Sequence, residues 1–136
     1  MKVLVAGFIT IDLIQLQMRA ITSVGGPPSY AGLLCSRFGH DVTPLTKVGP
    51  DFPDEQLVWL SRNGVSLRAG DRSATKPTTR FRISNSEGER SLSLVSRCED
   101  LSSSQIPPDT RFNAALVSPI AGEVSSSLLS EVSARS

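Results

Sequence analysis

Excess charge of either sign is nearly missing from this chain: 14 Lys and Arg stand against 13 Asp and Glu, a formal net charge of +1 over 136 residues. Without a basic excess there is no electrostatic footprint of a nucleic-acid or acidic-membrane partner. Arg80, Arg82 and Arg90 could form a local basic patch, but their alternating pattern reads better as the solvated face of a strand. Cysteine is scarce too. Cys35 and Cys98 form no C-x-x-C pair and no ligand cluster, which excludes a zinc knuckle or a disulfide framework and fits a reducing, cytoplasmic setting. Cys35 lies in an apolar helical run and is expected to be a small buried thiol. His40 is the sole histidine, with no acid or nucleophile beside it in sequence, and is expected at a helix end or on the surface. No apolar run reaches membrane-spanning length. The opening Met1 to Gly7 superficially resembles a signal peptide. Its charged part is one lysine, Asp12 interrupts the apolar stretch, and no A-x-A site follows.

What is present is the composition of a soluble globular domain, 39% hydrophobic and 20% charged. The length suits one domain over 1–136 and is short for two. Lys2 to Ala6 is a valine-rich run ending at Gly7, predicted as a buried strand. Phe8 to Gln17 is predicted to leave the core as an extended excursion. Ser23 to Pro28 is a turn signal, and prolines suit the first turn of the helix expected from Pro28 to Phe38. Tyr30, Leu33, Leu34 and Phe38 would form that helix's apolar stripe, and Gly39 would end it. Asp41 to Val48 is predicted as a second core strand. A second helix follows Gly49-Pro50-Asp51, with Asp54 and Glu55 in its first turn, where carboxylates suit the helix dipole. Its apolar face would be Leu57, Trp59 and Leu60, and its stop Asn63-Gly64. Val65 to Ala69 is predicted as a short third strand. From Thr78 to Val95 the texture alternates, with Thr79, Phe81 and Ile83 on one parity, as in an antiparallel hairpin with one wet face. Ala114 to Val117 is predicted as a further core strand, and a last helix from Ser125 would present Leu128, Leu129 and Val132. Strands alternating with helices imply an α/β fold with a mostly parallel sheet.

Three features could carry chemistry. Asp12 lies just past the first strand's C-terminal end, where ligands of open α/β sheets bind, and its carboxylate can accept from two neighbouring hydroxyls. Gly25-Gly26-Pro27-Pro28 lets backbone approach a ligand closely and opens a helix N-terminus. It is neither a G-x-G-x-x-G fingerprint nor a Walker A loop. Val48-Gly49-Pro50-Asp51-Phe52, followed by Asn63-Gly64-Val65, is accounted for by turn, cap and strand roles.

In this order the three pieces, together with Thr78–Phe81, Gly88-Glu89-Arg90 and Ser118 to Glu123, resemble the N-terminal half of ribokinase/PfkB-family carbohydrate kinases. The Gly-Gly-Pro-Pro loop and the Ser118 to Glu123 stretch look most like the branch of inositol and nucleoside kinases. The resemblance implies a truncated Rossmann-type sheet with helices and a small β-lid formed by segments 10–24 and 76–96. It implies that Asp12, Gly25 and Gly26 hold the acceptor's hydroxyls, with Tyr30, Thr79 and Phe81 also substrate-binding. The family commonly has asparagine where this chain has Tyr30, which argues against a plain furanose acceptor. ATP and Mg2+ are implied for a full-length enzyme phosphorylating a hydroxyl of a sugar, polyol or nucleoside. The lid is also where two copies would pair, as in some relatives.

The family's catalytic Gly-Ala-Gly-Asp motif and its magnesium-linked Asn-x-x-Glu segment do not occur in this sequence. No catalytic residue and no metal ligand is therefore assigned, and the chain alone is expected to be inactive and to bind ATP and Mg2+ poorly. The competing readings are a non-catalytic α/β module that binds a small polyhydroxylated molecule, a partner of a separate catalytic chain, and an unrelated flavodoxin-like domain. The lid hairpin argues against the last, and the uncovered final strand argues for a fragment over a purpose-built module.

Overall fold

The computed structural model describes residues 1–136. Three parallel strands form its first sheet, in the order β4 (Asp41–Leu45), β1 (Lys2–Ala6), β7 (Ala114–Val117). β1 is central, and the alternation of its side chains feeds both faces. Leu4 and Ala6 join a core with Phe8, Leu45, Cys98, Leu101, Ile106 and Phe112, closed by Leu128 and Val132 of α3 (Ser126–Ala134). Ser125 caps α3, its hydroxyl accepting from the Leu128 N–H at 3.1 Å. The other face carries α1 (Pro27–Arg37), which packs on β1 and β4. Gly32 permits that approach, since a methyl there would stand 3.1 Å from Val65 and 3.5 Å from Val42. α2 (Asp54–Arg62) buries Leu60 into a second core with Ile9, Ile11, Val48, Phe52 and Val65.

A separate four-stranded sheet has the order β3, β2, β5, β6, formed by β2 (Thr10–Gln15), β3 (Ala20–Gly25), β5 (Arg80–Ser86) and β6 (Glu89–Ser96). β2–β3 and β5–β6 are antiparallel hairpins, and β2 joins β5 in parallel. The sheet is fastened at its base by Asp51. This carboxylate accepts from the Thr78 N–H at 2.8 Å, the Thr78 hydroxyl at 2.7 Å and the Arg80 guanidinium at 2.9 Å.

Several expectations need correction. Val65 to Ala69 is no strand; it runs as coil into a short 3₁₀ turn, Ala69–Asp71. Val65 is buried in the second core, so its apolar character reflects packing rather than pairing, and the one bridge in this region joins Val48 to Arg72. The second core strand stops at Leu45, short of Val48. Most of the expected α1 stripe faces outward: Tyr30 is 64%, Leu34 57% and Phe38 74% exposed, whereas Leu33 packs against the second core and Pro28, Ser29 and Gly32 are buried. The helix sits on the sheet through its small residues. Cys35 is accordingly half-buried, not buried. Trp59 and Leu129 are about half exposed. Arg80 is not a solvated strand residue, because Asp51 holds it. His40 lies past the end of α1, its Nδ1 3.4 Å from the Met1 amino group.

Candidate functional site

Asp12 is the third residue of β2, and Gly25 is the last residue of the neighbouring β3. The antiparallel register sets Gly25 opposite Thr10. A methyl on Gly25 would overlap Asp12 Oδ2 and stand 2.8 Å from Thr10 Oγ1. The missing side chain is what leaves room for the carboxylate to lie across the strand. The fully buried Thr10 steadies it, donating its hydroxyl to Asp12 Oδ1 at 2.9 Å. Oδ2 receives no hydrogen bond within the chain and is left for another donor. Burial pushes the Asp12 carboxyl above its ordinary value, against the opposing pull of the Thr10 hydroxyl and the Arg90 charge.

Gly26 follows with φ +92°, a left-handed conformation that disfavours any side chain, and a methyl there would overlap the Phe8 carbonyl. That geometry turns the chain from β3 into α1, whose Ser29 donates its hydroxyl back to the Gly26 carbonyl at 2.8 Å.

Asp12 and Gly26 line a cavity of about 290 Å³ with Thr10, Phe81, Ile83, Arg90, Leu92 and Ile120. Register explains the gathering. Asp12 pairs with Phe81 and Ile14 with Ile83, while Phe81 pairs with Leu94 and Ile83 with Leu92. These side chains therefore share one face of the second sheet. Ile120 closes the cavity from just beyond the C-terminal end of β7, the position at which open α/β sheets hold ligands. Its loop is pinned by Glu123, which is fully buried and accepts from the backbone N–H groups of Phe8 at 2.9 Å and of Ile120 and Ala121 at 2.8 Å each.

Of the positions singled out in the sequence, Asp12, Gly25, Gly26 and Phe81 are brought together here. Thr79 and Tyr30 are not. Thr79 is fully buried, its Oγ1 accepting from the Cys98 N–H at 2.9 Å and its carbonyl from the Ile11 N–H at 3.1 Å, so it ties strands together and does not line the cavity. Tyr30 points outward from α1. Residue-type reasoning missed Ile83, Leu92, Ile120 and the roles of Thr10 and Glu123. The parity of Ile83 and Leu92 was the available signal. Arg90 was read as solvated, and it is exposed, but it also lines the cavity.

Of three larger clefts, two, of about 510 and 530 Å³, flank Trp59. One is lined by α1 and α2 with the turn after α2, the other by β3 and α2, and neither includes Asp12 or residues following the parallel strands. Size favours them; the position of a desolvated acid beyond strand ends favours the smaller cavity. No group of three or more His, Cys, Asp or Glu side chains that could hold a metal ion gathers in the chain. Ala69-Gly70-Asp71 matches three letters of the family's catalytic motif, yet Asp71 is buried. It accepts from the Arg68 N–H at 2.8 Å and from Gln105 Nε2 at 3.0 Å, as a framework anchor.

Among solved structures, the chain superposes on a pyrophosphate-dependent kinase of the ribokinase family with a TM-score of 0.71, covering 86% of this chain and 41% of that one at 17% identity. The fold is ribokinase-like. A fructokinase from Xylella fastidiosa with bound ATP matches at 25% identity and a TM-score of 0.58, over 69% of this chain and 32% of that one. An uncharacterised sugar kinase from Pyrococcus horikoshii matches at 27% identity and a TM-score of 0.57, over 68% and 34%. These neighbours are thus a fructokinase, a sugar kinase and a pyrophosphate-dependent kinase of the ribokinase family, and the chain spans about a third to two fifths of their length. No family model and no curated protein sequence matches the chain.

Proposed function

We propose that this chain is the acceptor-binding part of a kinase that phosphorylates a hydroxyl of a sugar, an inositol-like polyol or a nucleoside. The observation that carries the reading is the Asp12 carboxylate, laid across Gly25 with Oδ2 unoccupied by any donor of the chain, under a face of Phe81, Ile83 and Leu92. A carboxylate so placed accepts from two adjacent hydroxyls in bonds strengthened by its charge. The partly buried Phe81 and Ile83 would limit water around an acceptor bound against them, as a phosphoryl acceptor site requires. Residues 10–24 and 76–96 act as the lid, and pairing of two such lids would account for the exposed Leu92 and Leu94 on β6. ATP is the donor favoured by the fructokinase neighbour, while the pyrophosphate-dependent neighbour, also seen with a pyrophosphate analogue and myo-inositol, favours pyrophosphate. Either donor, and any magnesium, would be held by groups this chain does not supply. A cytoplasmic setting goes with this reading.

Calorimetric titration of the purified chain with myo-inositol, fructose and adenosine tests the proposal. Binding by at least one, lost by about tenfold or more in Asp12→Asn because a charged acceptor is removed, is the expected result. Binding of such ligands undiminished in Asp12→Asn would overturn it.

A further inference from the structure

We propose that the acceptor held here carries an anionic group besides its hydroxyls, so that it is a sugar acid or a sugar phosphate rather than a neutral polyol. The inference deepens the acceptor-site reading above and rests on it.

Arg90 is the argument. It pairs with Asn85 on β5, four residues beyond Phe81, and so stands roughly 13 Å further along the strand than the row containing Asp12. Its side chain nonetheless lines the same cavity as Asp12. The other cations of this hairpin are accounted for elsewhere. Arg80 is held by Asp51, and Arg82, of opposite strand parity to Phe81 and Ile83, belongs to the other face. Arg90 takes part in none of the chain's ion pairs, and neither Glu87 nor Glu89 of the adjoining turn lines the cavity.

The cavity thus holds the Asp12 acid and a guanidinium that is in no salt bridge, although its charge acts on Asp12, with Phe81, Ile83 and Leu92 beside them. A neutral polyol gives a cation nothing specific to bind. A carboxylate or phosphate does, since a guanidinium matches either in a forked pair of charged hydrogen bonds. Asp12 repels an anion placed beside it, which orients such a molecule: hydroxyls toward Asp12, anionic group toward Arg90.

The test titrates the purified chain with glucose, glucuronate and glucose 6-phosphate, and with fructose and fructose 6-phosphate, following backbone amide shifts by NMR. At least one acidic member is expected to bind about tenfold more tightly than its neutral counterpart, the scale of one charge-assisted contact. Arg90→Gln should erase that preference, and Arg90→Lys should restore part of it. Because Arg90 is exposed and in no ion pair, neither substitution threatens folding. The carboxylate and phosphate arms identify which anion is preferred. Equal affinity for neutral and acidic members, or a preference that survives Arg90→Gln, overturns the inference and leaves the acceptor site standing. Failure of every compound, neutral and acidic, counts against the acceptor site itself and removes the inference with it.

Discussion

Burial pushes the Asp12 carboxyl up, while the Thr10 hydroxyl and the Arg90 charge pull it down, and the net displacement is upward from 3.8. A folded-state value above the unfolded one means that the folded chain takes up the proton more readily as pH falls toward 4. Ionised Asp12 therefore costs stability at neutral pH, and the cost is relieved on acidification through the raised value. Asp12→Asn keeps the acceptor for Thr10 and removes the buried charge. It should raise the melting temperature at pH 7, with the gain shrinking as pH falls toward 4, while weakening acceptor binding. A lower melting temperature at pH 7 would contradict this account of the carboxylate. The two glycines separate in the same way. Gly25→Ala should displace the Asp12 side chain and weaken binding with a modest loss of stability. Gly26→Ala meets backbone at a positive φ and should cost a few kcal/mol in denaturant melts. Asp12 and both glycines were legible from residue type and spacing. Arg90 was not, because alternation tells which face a residue takes and cannot tell that a long side chain leans back along it.

Among the elements, the β5–β6 hairpin was the most legible, since strict alternation over Thr79 to Ile83 allows little but a strand, whereas β3 runs to Gly25 through part of the expected turn. The third predicted strand failed because a short apolar run says only that Val65 is buried. The α1 stripe failed for a related reason: helical periodicity finds an apolar face without saying which face the sheet takes. Here close approach through Gly32 and Ser29 won, leaving Tyr30, Leu34 and Phe38 outward. Phe38→Lys should therefore change the unfolding free energy by only about 0.5 kcal/mol or less, as for exposed positions generally. It should also reduce self-association measured by light scattering, because a contiguous apolar patch is lost. A large loss of stability would mean that this face is covered. Asp51 shows an element joint that the sequence disguised as a turn. Burial alone would raise its carboxyl, but the Thr78 N–H, the Arg80 guanidinium and the Thr78 hydroxyl together hold it below 3.8. Its stabilising contribution is thus present above about pH 4 and is lost as pH falls through the lowered value. Asp51→Asn should loosen the base of the second sheet, seen as faster amide exchange in β5 and β6 at pH 7, with the difference from the parent chain vanishing at the most acidic pH.

For the whole molecule, the order of elements was readable because each strand and helix announces its own period, and the division into two sheets follows from the register of β2 on β5. The final parallel strand was expected to be left uncovered, and Leu116 of β7 is 46% exposed. The chain spans about a third to two fifths of its ribokinase-like neighbours and contains no Gly-Ala-Gly-Asp base motif. A missing general base alone costs roughly 10²–10⁴ in rate. Incubated with ATP, Mg2+ and any acceptor it binds, the chain should therefore form no phosphorylated product detectable by 31P NMR. Recognition of the acceptor is the part of the function proposed for it, and a crystal structure of the chain with a bound polyol tests that most directly. The account predicts two adjacent hydroxyls on the Asp12 carboxylate, beneath Phe81 and Ile83. A polyol seated instead in the cleft between α1 and α2 beside Trp59, with Asp12 free, would contradict it.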